Sequence, residues 1–177
     1  MSYYLIQAIG FAGVAMFILS YQIRSNKALY AFQAIGSLLF CIQFGLLGQL
    51  SGSLNLILVI IRNFMLTGCR KYPVLKKKIW PCMITVISIV GTIMTWKGLT
   101  SLLPLAAVCG STFLYWTDNA QKIRLSNLAC ASPCWLIYDL LIGSWGGVLN
   151  EAITLASILV SIKRFGWKEM ASSDSPF

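Results

Sequence analysis

The sequence predicts an all-α membrane protein: seven transmembrane helices, arranged as two parallel three-helix bundles joined by a linker helix. Three observations predict it. The chain of 177 residues is 58% apolar and only 11% charged, where a soluble domain carries about 25% charged residues. Its basic residues crowd into alternate loops. The chain also matches itself at an offset of ninety-five residues.

Seven apolar segments follow in order: Tyr3 to Gln22, Ala28 to Leu47, Gly52 to Cys69, Ile79 to Trp96, Leu102 to Trp116, Leu125 to Ile142, and Gly147 to Ser161. Each approaches the ~20 residues that cross a ~30 Å hydrocarbon core. Backbone groups in lipid must be satisfied within the segment, so each segment is read as a helix. No basic stretch precedes the first segment and no small-residue cleavage site follows it. The first helix is therefore expected to be retained rather than cleaved as a signal. The tail, residues 166–177, is polar and buries too little to order itself.

The charges then give an orientation. Arg24 and Lys27 follow segment one. Arg70, Lys71, Lys76, Lys77 and Lys78 follow segment three. Lys122 and Arg124 follow segment five, and Lys163, Arg164 and Lys168 follow segment seven. With seven crossings these twelve residues share one side, and the other side receives only Lys97. The positive-inside rule places the N-terminus outside and the C-terminus in the cytoplasm. The net charge of +9 is thus a topology signal with a weak attraction to anionic membrane lipids. It does not mark a nucleic-acid surface.

The offset match runs without gaps from Lys27/Lys122 to Asn55/Asn150 and includes Ser37/Ser132, Gly48/Gly143, Gly52/Gly147 and Leu54/Leu149. Segments one to three then correspond to five to seven, with segment four as connector. This divides the chain into a first repeat (1–69), a basic loop and linker helix (70–100), a second repeat (101–165) and the tail (166–177). The Gly-rich stretches 48–52 and 143–147 read as outer hairpin turns. Their Gly-x-x-x-Gly spacing also permits close backbone approach, which leaves a homo-oligomer open. Their position at helix ends favours the turn.

Three ionisable residues fall inside spans: Arg62, Asp139 and Glu151. Each costs about 2.5–3.5 kcal/mol at a bilayer centre, so each needs a partner or a wet cavity. Asp139 and Glu151 flank one short turn. They either face each other, sharing a proton or a cation, or each meets water and headgroups. Arg62 either snorkels or pairs within the bundle, with Glu151 the natural candidate. Asn150, Thr154, Ser157 and Ser161 form one stripe at helical spacing, and Asn55 and Arg62 occupy matching positions on segment three. Ser132, Trp135 and Asp139 share a face of segment six, and Pro133 predicts a kink there. Such groups line a solute pathway or make ordinary interhelical hydrogen bonds, worth about 0.6 kcal/mol each.

His is absent and the six Cys are scattered without a Cys-x-x-Cys pair. No metal spacing, phosphate loop or nucleophile motif is present. No cofactor and no catalytic activity is expected.

Two stretches carry a family resemblance. One reads Phe32-Gln33, Phe44-Gly45-Leu46-Leu47-Gly48 and Ile61-Arg62-Asn63. The other reads Leu102-Leu103-Pro104, Ser132-Pro133-Cys134-Trp135-Leu136-Ile137-Tyr138-Asp139, Gly143-Ser144-Trp145-Gly146-Gly147, Glu151 and Ile162-Lys163-Arg164. Together they resemble the bacterial inner-membrane protein family YgjV. That family is similar in turn to the PQ-loop group, which includes SWEET sugar transporters and PnuC vitamin transporters. The resemblance implies the inner membrane and a SWEET-like 3-1-3 fold. In SWEETs an Asn on the third helix of each bundle contacts substrate, and Asn55 and Asn150 lie on the matching helices. The Pro-Gln dipeptide is missing, and the span prolines are Pro81, Pro104 and Pro133. That departure weighs against symmetric rocking of the two halves.

The expected function is a small-solute transporter or facilitator of unidentified substrate, working by alternating access. Its pathway would be lined by Asn55, Arg62, Ser132, Trp135, Asp139, Asn150, Glu151 and Thr154. The alternative is a membrane scaffold or accessory subunit whose polar groups serve packing. A cavity lined by these side chains separates the two readings from a dry core.

Overall fold

A computed structural model describes residues 2–22, 26–68, 72–117 and 119–165. Every regular element among them is helical: α1 (Tyr3–Gln22), α2 (Asn26–Leu46), α3 (Leu50–Gly68), α4 (Ile79–Met94), α5 (Leu102–Tyr115), α6 (Ala120–Ser126), α7 (Ser132–Ile142) and α8 (Trp145–Phe165). A π turn, Asn127–Ala131, joins α6 to α7 without a break, so the described chain forms seven rods. Arg24, Arg70, Lys71 and Lys168, together with the tail from residue 166, lie outside the described residues.

The sixth rod departs from expectation in two ways. It begins at Ala120 rather than Leu125, because Asn119 caps it: its side-chain oxygen accepts from Lys122 N at 3.1 Å. The polar first turn hid this start from a hydropathy reading. Pro133 sits at the head of α7, and the turn before it widens. The Ser132 amide donates to Asn127 O, five residues back. A π turn is one of the few devices that fit a proline into a continuous helix. The stretch Gln121–Ile142, 22 residues, is long and apolar enough to cross a membrane.

Both hairpin turns use the same chemistry. Gly48 (φ 74) and Gly143 (φ 71) are left-handed, a conformation glycine adopts without Cβ strain. Gln49 N donates to Phe44 O at 2.8 Å, and Ser144 N donates to Asp139 O at 2.9 Å. This closure five residues back is that of a Schellman turn. The turns are shorter than the sequence suggested, since α8 already begins at Trp145. Gly147 therefore serves close packing within the helix. A Cβ there would lie 2.4 Å from the Asp139 carboxylate.

Neighbour relations define a ring. α1 packs on α2, α2 on α3, α3 on α5, α5 on α7, α7 on α8, and α8 back on α1. α4 lies against α3 and α5. The distribution of residues is inverted relative to a water-soluble bundle. Tyr4, Leu38, Val86, Ile93, Met94 and Val160 face outward, while Gln43, Asn55, Ser88, Thr112 and Ser144 are fully buried. Such a surface is stable against hydrocarbon, and polar groups turned inward find partners there. A compact apolar core of Phe44, Leu58, Ile84, Ala107, Val108, Trp135 and Tyr138 holds the middle.

Candidate functional site

A cavity of about 270 Å³ lies inside the ring. Each wall is a stripe at helical spacing. α2 contributes Gln33, Ser37, Phe40 and Phe44. α3 contributes Val59 and Arg62, and α5 contributes Ser111 and Tyr115. The sixth rod supplies Asn127, Ser132, Trp135 and Asp139, and α8 supplies Gly147, Asn150, Glu151 and Thr154. Seven of the eight residues singled out from the sequence thus meet around one space.

Asn55 is the one that does not. It is fully buried and turned to α4. Its amide donates to Thr92 Oγ1 at 3.0 Å and to Ser51 O at 2.8 Å, and its carbonyl accepts from Ser88 Oγ. Asn55 is a clamp between α3 and α4. The parallel between Asn55 and Asn150 as substrate contacts ends there.

Arg62 is buried, at 4% exposure, and the expected carboxylate partner is replaced by dipoles. Its Nη1 donates to Ser111 Oγ at 2.8 Å and, more weakly, toward Thr112 Oγ1 at 3.5 Å. Its Nε reaches Asn63 Oδ1 at 3.4 Å. The guanidinium carbon lies 4.0 Å from the Tyr115 ring centroid, a cation–π contact. Tyr115 is held in turn by Asn127, with oxygen-to-oxygen and nitrogen-to-oxygen separations of 3.0 and 2.9 Å. No ion pair to Arg62 occurs among the described residues. Ser111 and Tyr115 escaped the sequence reading because nothing local ties them to an arginine on another helix.

The carboxylates lie on α7 and α8. Asp139 is 2% exposed, its side chain presses on Gly147, and its Oδ1 has no hydrogen-bond partner. Glu151 lies within electrostatic reach of Asp139. One Glu151 oxygen accepts from Asn150 Nδ2 at 3.3 Å, and Ser132 stands beside the carboxylate. Both side chains line the common space. Trp135 stacks on Phe44 at 6.0 Å and meets Tyr138 edge-on at 5.9 Å, which makes it part of an aromatic wall. The Thr154 hydroxyl donates back to Asn150 O at 2.9 Å, an ordinary helix back-bond.

A polar latch closes the bundle at the glycine-turn end. Gln43 Nε2 donates to Gln7 Oε1 at 3.3 Å, and Ser144 Oγ donates to Gln43 Oε1 at 3.1 Å. Gln7 Nε2 donates to Gly143 O at 2.6 Å, and Trp145 N donates to Gln7 Oε1 at 3.1 Å. This network ties α1 and α2 to the α7–α8 turn, next to Asp139. The available signal was two lone glutamines in apolar runs, each of which demands a partner in lipid.

The family model described as Imp-YgjV, bacterial inner membrane protein, matches residues 4–169. No curated protein and no solved structure matches the chain.

Proposed function

The chain belongs to the YgjV family of bacterial inner membrane proteins, and from that premise we propose that it is a small-solute transporter or facilitator working by alternating access. The observation that carries this reading is the cavity: about 270 Å³, with a buried cation on one wall and two carboxylates on another. Ionisable side chains inside a membrane bundle are costly and mark solute or ion pathways. The volume is close to the lower end of small-molecule sites, about 300 Å³.

In this reading α1 to α3 and α5 to α8 are two like-oriented bundles, with α4 as linker. The identical turns ninety-five residues apart support it. So does the pairing of α3 with α5 and of α8 with α1, which correspond under the repeat. The basic residues orient the N-terminus outward. The Gln7–Gln43–Ser144 latch then closes the outer end, and the cavity extends toward the cytoplasmic end past Tyr115 and Asn127. We propose solute movement rather than chemistry on a substrate.

The competing reading is a scaffold or accessory subunit, and the clamp at Asn55 favours it locally, because that polar group serves packing alone. Uptake into proteoliposomes against a solute panel tests the two. Transport predicts uptake that Arg62→Ala and Glu151→Gln abolish while the variants stay folded. A protein that takes up nothing, and whose variants change only stability, is a scaffold.

A further inference from the structure

Opposite charges occupy two levels of the cavity. Arg62 stands twelve residues after the start of α3 at Leu50, and Glu151 six residues after the start of α8 at Trp145. Both helices start two residues beyond a left-handed glycine. At 1.5 Å per residue, Arg62 enters the bundle about 9 Å deeper than Glu151. Asp139, three residues before the end of α7 at Ile142, lies on the same side of Arg62 as Glu151.

Among the described residues neither charge is paired with an opposite one. The partners of Arg62 are two hydroxyls, an amide and an aromatic ring. These are dipoles, and they leave the net positive charge standing. A buried charge without a counter-charge is expensive. The guanidinium lines the cavity. Asp139 shows the reverse: a buried oxygen with no donor, beside a second carboxylate. A simple anion would neutralise Arg62 and leave the carboxylates. A simple cation would do the opposite.

We propose that the cavity binds a small zwitterion, with its anionic group at Arg62 and its ammonium group between Asp139 and Glu151. This rests on the transporter reading and names its substrate class. The space of about 270 Å³ equals on the order of nine water volumes at about 30 Å³ each. That admits an amino-acid-sized solute, or a lipid headgroup without its chains. The two sources share the same chemistry.

The test is a binding and uptake series on the full-length protein with glycine, 4-aminobutyrate and 6-aminohexanoate, alongside the single-charge analogues butyrate and butylamine. One zwitterion is expected to bind about ten- to a hundredfold tighter than either analogue, the gain of one further charge-assisted contact. Arg62→Gln removes its advantage over butylamine, and Glu151→Gln removes its advantage over butyrate. These ratios are read within each variant, so a loss of folded protein does not mimic them. Equal binding of butyrate or butylamine and the best zwitterion overturns the proposal, as does a uniform weakening of all ligands in both variants. If the soluble zwitterions do not bind, phosphatidylethanolamine retained by the wild-type protein and lost from Arg62→Gln identifies the headgroup as the source. Uptake only of a solute that is not zwitterionic leaves the transporter and removes the zwitterion. No binding and no uptake of any solute, with no phosphatidylethanolamine retained, removes both.

Discussion

α3 and α8 enter the bundle through the same turn, and each carries an Asn at the same register, yet the two helices end in different environments. Asn55 is clamped to α4 through Ser88 and Thr92. Asn150 faces the cavity and touches Glu151. The difference is the covering element: α4 packs on α3, and its polar face consumes the donors and acceptor of Asn55. One residue type at one register thus becomes a structural clamp in one half and a cavity group in the other. The shared glycine turn supplies the position, and the neighbouring helix decides its use.

That contrast can be broken most severely at Arg62. Arg62→Ala is expected to lower uptake about a hundredfold, the worth of one or two charge-assisted contacts. Thermal unfolding in detergent should change little, because Ser111 and Thr112 keep their bonds to Ala107 O and Val108 O. A large loss of stability with normal residual uptake would place Arg62 among the packing groups.

The two Asn residues come next. Asn55→Ala leaves Ser88 and Thr92 without their partner and should cost about 2–3 kcal/mol in equilibrium unfolding. Uptake per folded molecule should stay within about twofold. Asn150→Ala should do the reverse, costing less than about 1 kcal/mol and lowering uptake about tenfold. If the two variants behave alike, the comparison between the helices fails.

Gly147→Ala drives a methyl group into Asp139, and overpacking of this kind costs about 1–3 kcal/mol. Gly45→Ala is the control. Its new Cβ would meet nothing closer than Ser53 Oγ at 3.9 Å, and the helix should gain up to about 1 kcal/mol. Thermal melts of the two variants should therefore move in opposite directions.

The smallest effect is expected at the latch. Ser144→Ala removes one hydroxyl from the Gln43 network at a cost of about 1 kcal/mol. An unchanged melting temperature would show that the latch adds nothing to closure at the turn end.

Much of the fold was legible in the chain. α1 and α5 start where the hydropathy pattern placed them, and the turn glycines Gly48 and Gly143 announced the two hairpins. The start at Ala120 was not legible from hydropathy, because a capped polar turn looks like a loop to an apolar count. The widening before Pro133 was legible as a perturbation but not as a π turn, since a kink relieves the same proline equally well. Of the candidate site, the costly residues stood out: a charge in a span is visible in one dimension. Their partners did not. Ser111 and Thr112 are ordinary helix hydroxyls until Arg62 from another rod reaches them, and Gln7 and Gln43 lie thirty-six residues apart in sequence before they meet.

The sequence by itself determined the helical class, the number of rods, the two glycine turns and the three ionisable groups that must be accommodated inside the bundle. These follow from local physics: hydropathy, helical period, and the need of glycine at a left-handed turn. Only the tertiary structure decided which polar groups meet. It turned Asn55 to α4, gave Arg62 hydroxyls and an aromatic ring in place of a carboxylate, and set Asp139 beside Glu151 across Gly147. Those outcomes depend on which helix lies next to which, and hydrogen bonds of about 3 Å cannot be read from a pattern that repeats every 3.6 residues.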